Sequence, residues 1–370
     1  MCQLGEVANP MYFVGTRAAS VWGGEVNMKA IVMQQHGDPS VLQYQDYPEP
    51  AITAHEVLVR VHGCALNHLD LWVRRGLPGV AIPLPHIPGS DVAGEVAKIG
   101  ASVRTVEIGQ KVVLAPGITC GRCPACIAGN DNRCREFTNL GYKVDGGCAE
   151  FVRCPEVNCM PYPENLNWVQ AAAVPLVFLT AWHMLISCAK LQPGEDVLVL
   201  AGGSGVGIAA IQIAKFFGAR VISTAGSEEK LQKAKQLGAD EVINHGTMEV
   251  DKEVRRITAN RGVDVVIEHV GTATWDKSLR SLALGGRLVT CGATTGYDAK
   301  IDIRFLFSRQ LSLLGSYMGT KDELRTVLKL VAQGRLKPVV DRVFLLAECA
   351  AAHEYLEERK QFGKVVLSVG

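Results

Sequence analysis

Apolar positions change rhythm along the chain. Up to about residue 163 they form strand-like runs rich in β-branched residues, at 29–34, 57–66 and 91–99. Gly and Pro turns separate them. Pro83, Pro85, Pro88 and Gly89 exclude regular structure just ahead of the third run. From about Asn165 the texture differs. Short apolar runs at 197–200, 221–224, 241–243, 263–267, 287–290 and 311–314 alternate with helical stretches. Six short buried strands with helices between them predict an α/β fold with a doubly wound parallel sheet. A helix with Leu324, Leu328 and Val331 on one face follows, then a strand at 339–345, a helix at 350–359 and a last strand at 364–369. The charged run 228–236 reads as a helix with a solvated face. The stretch 208–217 reads as an amphipathic helix. The most apolar stretch, 171–186, holds Pro175, Thr180 and His183. It is shorter than the roughly 20 residues of a spanning helix, so it predicts a buried helix start and no membrane partner.

Composition narrows the class. A chain of 370 residues fits two domains. Hydrophobic residues at 48% against charged residues at 20% exclude disorder for the bulk of it. Lys plus Arg number 38 and Asp plus Glu 37, a net charge of +1, which gives no reason to expect a nucleic-acid partner. Residues 1–27 lack the positive start and apolar core of a secretory leader, and carry two Glu against one Arg, unlike a transit peptide. The expected location is the cytoplasm. Met28 opens a clean strand, so 1–27 reads as a disordered extension or an overlong start.

The run 197–200 leads straight into Ala201-Gly-Gly-Ser-Gly-Val-Gly207 and then a helical stretch. Strand, glycine turn and helix in that order form a dinucleotide site. Gly202, Gly205 and Gly207 let the backbone approach a pyrophosphate, and the free N–H groups around Ser204 and Val206 bind it. The end of the second strand selects the cofactor. An acidic residue there would hold the ribose hydroxyl of NADH and repel a 2′-phosphate. Here the position is Ala225, with Ser227 and Lys230 in the next turn. That favours NADPH over NADH, although Glu228 and Glu229 pull the other way. His245, just after the third strand, could flank the phosphate or be an ordinary surface histidine.

Four of the 12 cysteines, Cys120, Cys123, Cys126 and Cys134, are spaced C-x2-C-x2-C-x7-C. Four thiolates close a tetrahedral shell and leave no open position, so one structural zinc per chain is expected. Gly121, Pro124 and Gly129 supply the turns. The other eight cysteines read as small buried hydrophobes.

The four-cysteine lobe followed by the glycine fingerprint resembles the medium-chain dehydrogenase/reductase superfamily. The runs Ala65-Leu-Asn-His-Leu-Asp70, Pro88-Gly-Ser-Asp91 and Gly363-Lys-Val-Val-Leu367 are similar to its quinone oxidoreductase branch. The resemblance implies a GroES-like β-domain over 28–163 with a zinc lobe at 117–137, a Rossmann domain over 164–317, and a return to the first domain over 318–370. The cofactor would lie between the two. It also implies three catalytic-zinc ligands in the alcohol dehydrogenase branch, and all three positions are lost here, to Asn67, Ser90 and Leu176. The hydroxyl and histidine of the proton relay are lost to Leu69 and Trp72. A displaced site on Cys64, His86 and Asp91 competes with a plain loop histidine at His86, and the loop histidine is the simpler reading.

Without a Lewis acid, hydride transfer to a simple ketone is poorly supported, whereas a conjugated acceptor delocalises the developing charge itself. The expected activity is NADPH-dependent reduction of a small-molecule quinone or α,β-unsaturated carbonyl. The resemblance puts Asn67 and Asp70 in the catalytic cleft, His68 against the pyrophosphate, Gly271 and Gly292 against the nicotinamide, and Lys364 among the cofactor-binding residues. The tyrosine of related enoyl reductases is Leu77 here, so no side-chain proton donor is evident. Two other readings compete: a zinc-dependent alcohol dehydrogenase, and an NADPH-binding structural or regulatory protein. The apolar sixth strand would lie at a sheet edge, which in relatives pairs across a two-fold axis. A homodimer or homotetramer is expected.

Overall fold

The computed structural model describes residues 27–370. The expected N-terminal extension lies outside the described residues, apart from Asn27, which begins the first strand, Asn27–Val32. Two sheets organise the molecule. In the first, the strands Val340–Leu345, Lys364–Ser368, Glu56–Ala65, Asp91–Ile99, Lys111–Leu114 and Cys159–Pro161 follow one another in space, with Phe151–Pro155 also paired to Glu56–Ala65. Valines and alanines alternate along Glu56–Ala65 and Asp91–Ile99, and their inward members, among them Val57, Val59, Val92 and Val96, are buried.

The second sheet has six parallel strands in the order Glu241–Asn244, Arg220–Ala225, Asp196–Val199, Val263–Glu268, Leu282–Thr290 and Ser312–Gly315. This is the doubly wound α/β order the apolar runs predicted. Strand order reverses between Asp196–Val199 and Val263–Glu268, and crevices that bind ligands open at such a switch point. The glycine turn lies there.

The stretch 171–186 is not one helix. Pro175 cannot continue a preceding helix but suits a first turn. A short helix, Trp168–Ala172, therefore stops, and a new one runs Pro175–Trp182. It ends in a π-helical turn, His183–Cys188. Among the described residues no helix is long and apolar enough to cross a membrane. The largest core cluster joins Ala65, Ala93 and Val113 of the first sheet to Val199, Ile211 and Ile267 around the second, through Val174, Phe178 and Leu179. The cleft between the sheets thus has a packed floor.

Candidate active site

The strand Asp196–Val199 delivers the chain into the glycine turn, and the helix Gly205–Phe216 leaves it, with the Ser204 hydroxyl accepting from Gly207 N at 3.0 Å. Ala201 takes φ +45° to make the turn. A Cβ on Gly202 would stand 2.1 Å from Ser223 Oγ, and one on Gly207 2.4 Å from Ala201 O. Only bare backbone fits at both, and the first-turn amides of a twelve-residue helix are left facing the cleft. The residues present fit a dinucleotide.

The C-terminal segment closes over this turn. Gly363 N donates to Gly203 O at 2.8 Å, and a Cβ on Gly203 would stand 3.0 Å from the Phe362 ring and 3.4 Å from Lys230 Cδ. Lys230 thus lies beside the turn as expected, but its ammonium already donates to the Arg359 carbonyl at 2.6 Å. Two of its three N–H donors remain for a phosphate. Ser227 caps the helix Glu228–Gln236, its hydroxyl accepting from Lys230 N at 3.4 Å. His245 Nε2 lies 3.0 Å from where a Cβ on Gly226 would be. Burial lowers the pKa of His245, and Arg359 and then Lys230 add to the shift. Arg359, an exposed residue that the sequence reading missed, therefore adds a further cation to the place where a 2′-phosphate would arrive. The signal was the basic pair Arg359-Lys360 shortly before Lys364. Glu229 is taken up by Lys233 at 2.6 Å, and Glu228 accepts from Gln232 at 3.1 Å, so neither acid stands unpartnered against that charge.

Lys364 differs from expectation. Its ammonium is buried and donates to Asn67 Oδ1 at 2.6 Å and Asp91 Oδ2 at 2.9 Å, while its Cδ lies 3.1 Å from the place a Cβ would take on Gly205. The charge faces the first domain, and only the stem reaches the glycine turn. Asn67 donates to Asp91 Oδ2 at 3.0 Å and Ala65 O at 3.3 Å. The second carboxylate oxygen of Asp91 accepts from Leu176 N at 2.8 Å. Two of the three positions where zinc ligands are missing, Asn67 and Leu176, are thus tied together through the Asp91 carboxylate and the Lys364 ammonium, and the third, Ser90, donates to Leu140 O at 2.7 Å.

Asp70 is corrected from a catalytic residue to a positioning one. It is fully buried, and its oxygens accept from Asn67 N at 2.7 Å and Gly89 N at 3.0 Å. Burial raises its pKa to about 6. It fixes the start of the helix His68–Arg75 and through it Asn67. His68 is the first residue of that helix, with its ring edge-on to Trp72. Burial first, then His269, Arg359, Arg75 and Lys364, push it down to about 4, so it is a neutral donor or acceptor at pH 7. Gly271 has φ +96°, and its turn is held by the buried Glu268 carboxylate, which accepts from Val270 N, Gly271 N and the Ser278 hydroxyl. A Cβ on Gly292 would lie 3.1 Å from His269 O. His86 is buried with Nε2 on Gly141 O at 3.1 Å, while Cys64 meets Cys148 at 3.8 Å, so the displaced metal site does not assemble.

The only group of metal-holding side chains among the described residues is Cys120, Cys123, Cys126 and Cys134, all within 4.8 Å of one another. Sulfur separations of 3.5, 3.5 and 4.0 Å match the spacing of about 3.8 Å that a tetrahedron with Zn–S of about 2.3 Å requires. The cluster fits a structural zinc. The lobe reaches the rest of the protein through Asp131, which accepts from Lys321 at 2.8 Å, and Asn132, which meets His183 Nε2 at 3.3 Å. Beside it opens a cavity of about 610 Å³ between Trp72 and Leu77 of the first domain, Asn132 and Arg133 of the lobe, and Gly292 and Ala293 of the second.

A two-domain fold with a dinucleotide-type glycine turn and a cavity between the same domains fits a pyridine-nucleotide oxidoreductase. The family descriptions "Alcohol dehydrogenase GroES-like domain" and "Zinc-binding dehydrogenase" match residues 53–164 and 205–333. The chain is 31% identical to a quinone oxidoreductase of Rattus norvegicus over 93% of this chain and 98% of that one. It is 35% identical to an NAD-dependent alcohol dehydrogenase of Sulfolobus acidocaldarius, over 92% and 100%. A crystal structure titled as an NAD-dependent alcohol dehydrogenase superposes with TM-score 0.90 at 49% identity, over 93% and 100%. The chain belongs to the medium-chain dehydrogenase/reductase superfamily and is an NAD(P)H-dependent oxidoreductase. The non-enzymatic reading is set aside.

Proposed function

We propose that the protein reduces a quinone or an α,β-unsaturated carbonyl with NADPH, with zinc confined to the lobe. The observation that carries this is the Asn67–Lys364–Asp91 arrangement. Both ends of the Asn67 amide and both oxygens of Asp91 are already engaged, and the Ser90 hydroxyl donates to Leu140 O at 2.7 Å. None of these offers a metal a lone pair of the imidazole, thiolate or free carboxylate kind. The cofactor supplies the hydride when bound. Asn67 and Lys364 shape the polar wall beside it, His68 stays neutral near its phosphates, and Arg359 with Lys230 recognise the 2′-phosphate. A conjugated acceptor spreads its own developing charge and so needs no Lewis acid.

The test is kcat/KM for NADPH and NADH with one quinone acceptor at fixed ionic strength, together with zinc content. We expect NADPH to be preferred and about one zinc per chain. A charge-assisted hydrogen bond contributes about 1.5–3 kcal/mol. Arg359→Ala and Lys230→Ala should each weaken NADPH by roughly ten- to hundredfold and leave NADH nearly unchanged. Ala225→Asp should reverse the preference. A wild-type preference for NADH would sink the cofactor assignment. The alcohol dehydrogenase reading is favoured by the relatives that bear that name; two zinc ions per chain with alcohol oxidation would establish it and overturn ours.

A further inference from the structure

The cavity wall carries a second constellation that hydride transfer does not use. In the π-helical turn His183–Cys188, Ala189 N donates to Met184 O at 2.9 Å, five residues back instead of four. Residues five apart on an α-helix diverge by about 140°. The wider turn closes that angle to roughly 50°. His183 and Cys188 consequently share one face, and both line the cavity, with Cys291 and Ser316 across from them.

Behind His183, Glu323 of the helix Lys321–Ala332 takes Nδ1 with both carboxylate oxygens at 2.9 Å. The Ser187 hydroxyl donates to the same carboxylate. Nε2 meets the Asn132 amide at 3.3 Å. Burial opposes the imidazolium, but the neighbouring Cys188 and Glu323 outweigh it and raise His183 to about 9. Burial likewise raises the Cys188 thiol, yet the neighbouring His183 brings it below the ordinary value. Cys291 shares the cavity without such a partner, and burial pushes it up to about 12. Thiol, imidazole and carboxylate in sequence are the arrangement that activates a sulfur nucleophile.

We propose that Cys188 is a second reactive group of this cavity, a thiol held by the His183–Glu323 pair that adds to an electrophilic alkene seated there. His183 takes the thiol proton. The sulfur electron pair forms the C–S bond to the β-carbon, and the broken C=C π pair moves to the α-carbon. The α-carbon then takes the proton back from His183. No electrons are gained or lost, and the product is a thioether carrying the whole alkene. The step shares only its acceptor class with the reduction proposed above and needs no cofactor, so the two stand or fall separately.

The experiment treats zinc-loaded, full-length protein with N-ethylmaleimide in the absence of nucleotide, and maps the modified peptides by mass over a range of pH. The groups facing the sulfur are His183, Glu323, Cys291 and the Ser316 hydroxyl, with Arg133 on the lobe side of the cavity. Cys188 should be labelled first, at least about tenfold faster than Cys291, with a pH midpoint below the free-thiol value of about 8.5. His183→Gln should slow it about tenfold and move the midpoint up towards that value. Glu323→Gln should do the same in part, and carries the test if His183→Gln fails to fold. Cys188→Ser should abolish the first adduct. Labelling of Cys188 no faster than Cys291, a wild-type midpoint at or above about 8.5, or a midpoint unmoved by both substitutions would overturn the proposal.

Discussion

The ammonium of Lys364 and the carboxylate of Asp91 are 2% and 0% exposed and meet at 2.9 Å. Removing one partner of a buried pair leaves the other charge uncompensated, which costs about 3–5 kcal/mol. Lys364→Met should therefore lower the free energy of unfolding in urea by about that much and raise KM for the acceptor, because Asn67 loses its anchor. Adding Asp91→Asn should recover much of the stability; a double variant no more stable than Lys364→Met would show that the pair is not what the substitution breaks. The sequence showed Lys364 through its family run but could not show this partner, which is 273 positions away. Asp70 misled for a related reason. It lies three positions after Asn67, a spacing that serves helix capping as readily as catalysis, and burial decides between them. The glycine turn was legible because its chemistry is contiguous. Arg359, His183 and Glu323 belong to no motif and acquire their neighbours only on folding.

The helices and strands tell the same story one level up. Apolar runs located all six parallel strands to within a few residues, since strands buried on both faces read as unbroken Val, Ile and Leu. The helix Gly205–Phe216 was expected to be amphipathic, yet Ile208, Ala209, Ala210, Ile211, Ile213 and Ala214 are all buried. It is covered by the sheet on one side and by the helix Pro175–Trp182 on the other. Only a further layer packed over its outer face produces that pattern, and a single segment cannot display its cover. Gly207, in the first turn of this helix, is packed against the glycine turn itself, with a Cβ landing on backbone atoms of Ala201 and Gly202 at 2.4 and 2.8 Å. Gly207→Ala should destabilise by about 1–3 kcal/mol and weaken both nucleotides together, unlike Arg359→Ala. Thermal denaturation and nucleotide fluorescence titration read the two effects. Selective loss of NADPH binding in Gly207→Ala would contradict the packing argument.

At the scale of the whole molecule, the strand Ser312–Gly315 ends the parallel sheet with one side unpaired. Ile303 and Phe307, on the helix Ile303–Ser308 shortly before it, are 71% and 67% exposed. Open edges beside apolar surface invite pairing. We propose that a second copy of this chain covers this side. Light scattering at micromolar concentration should give twice the chain mass, or four times if dimers pair, and a monomer would count against it. The other sheet has a different kind of edge, one that exists only in time. Lys364–Ser368 lies between Val340–Leu345 and Glu56–Ala65, so the strand of this sheet that comes latest in the sequence is an interior one. The parallel sheet can complete itself as soon as residue 315 has left the ribosome. The Gly63–Ala65 end of Glu56–Ala65 must wait, with that flank uncovered, until residues 364–368 have followed. A message cut short just ahead of Lys364 would therefore yield insoluble protein, and not merely a weakened enzyme.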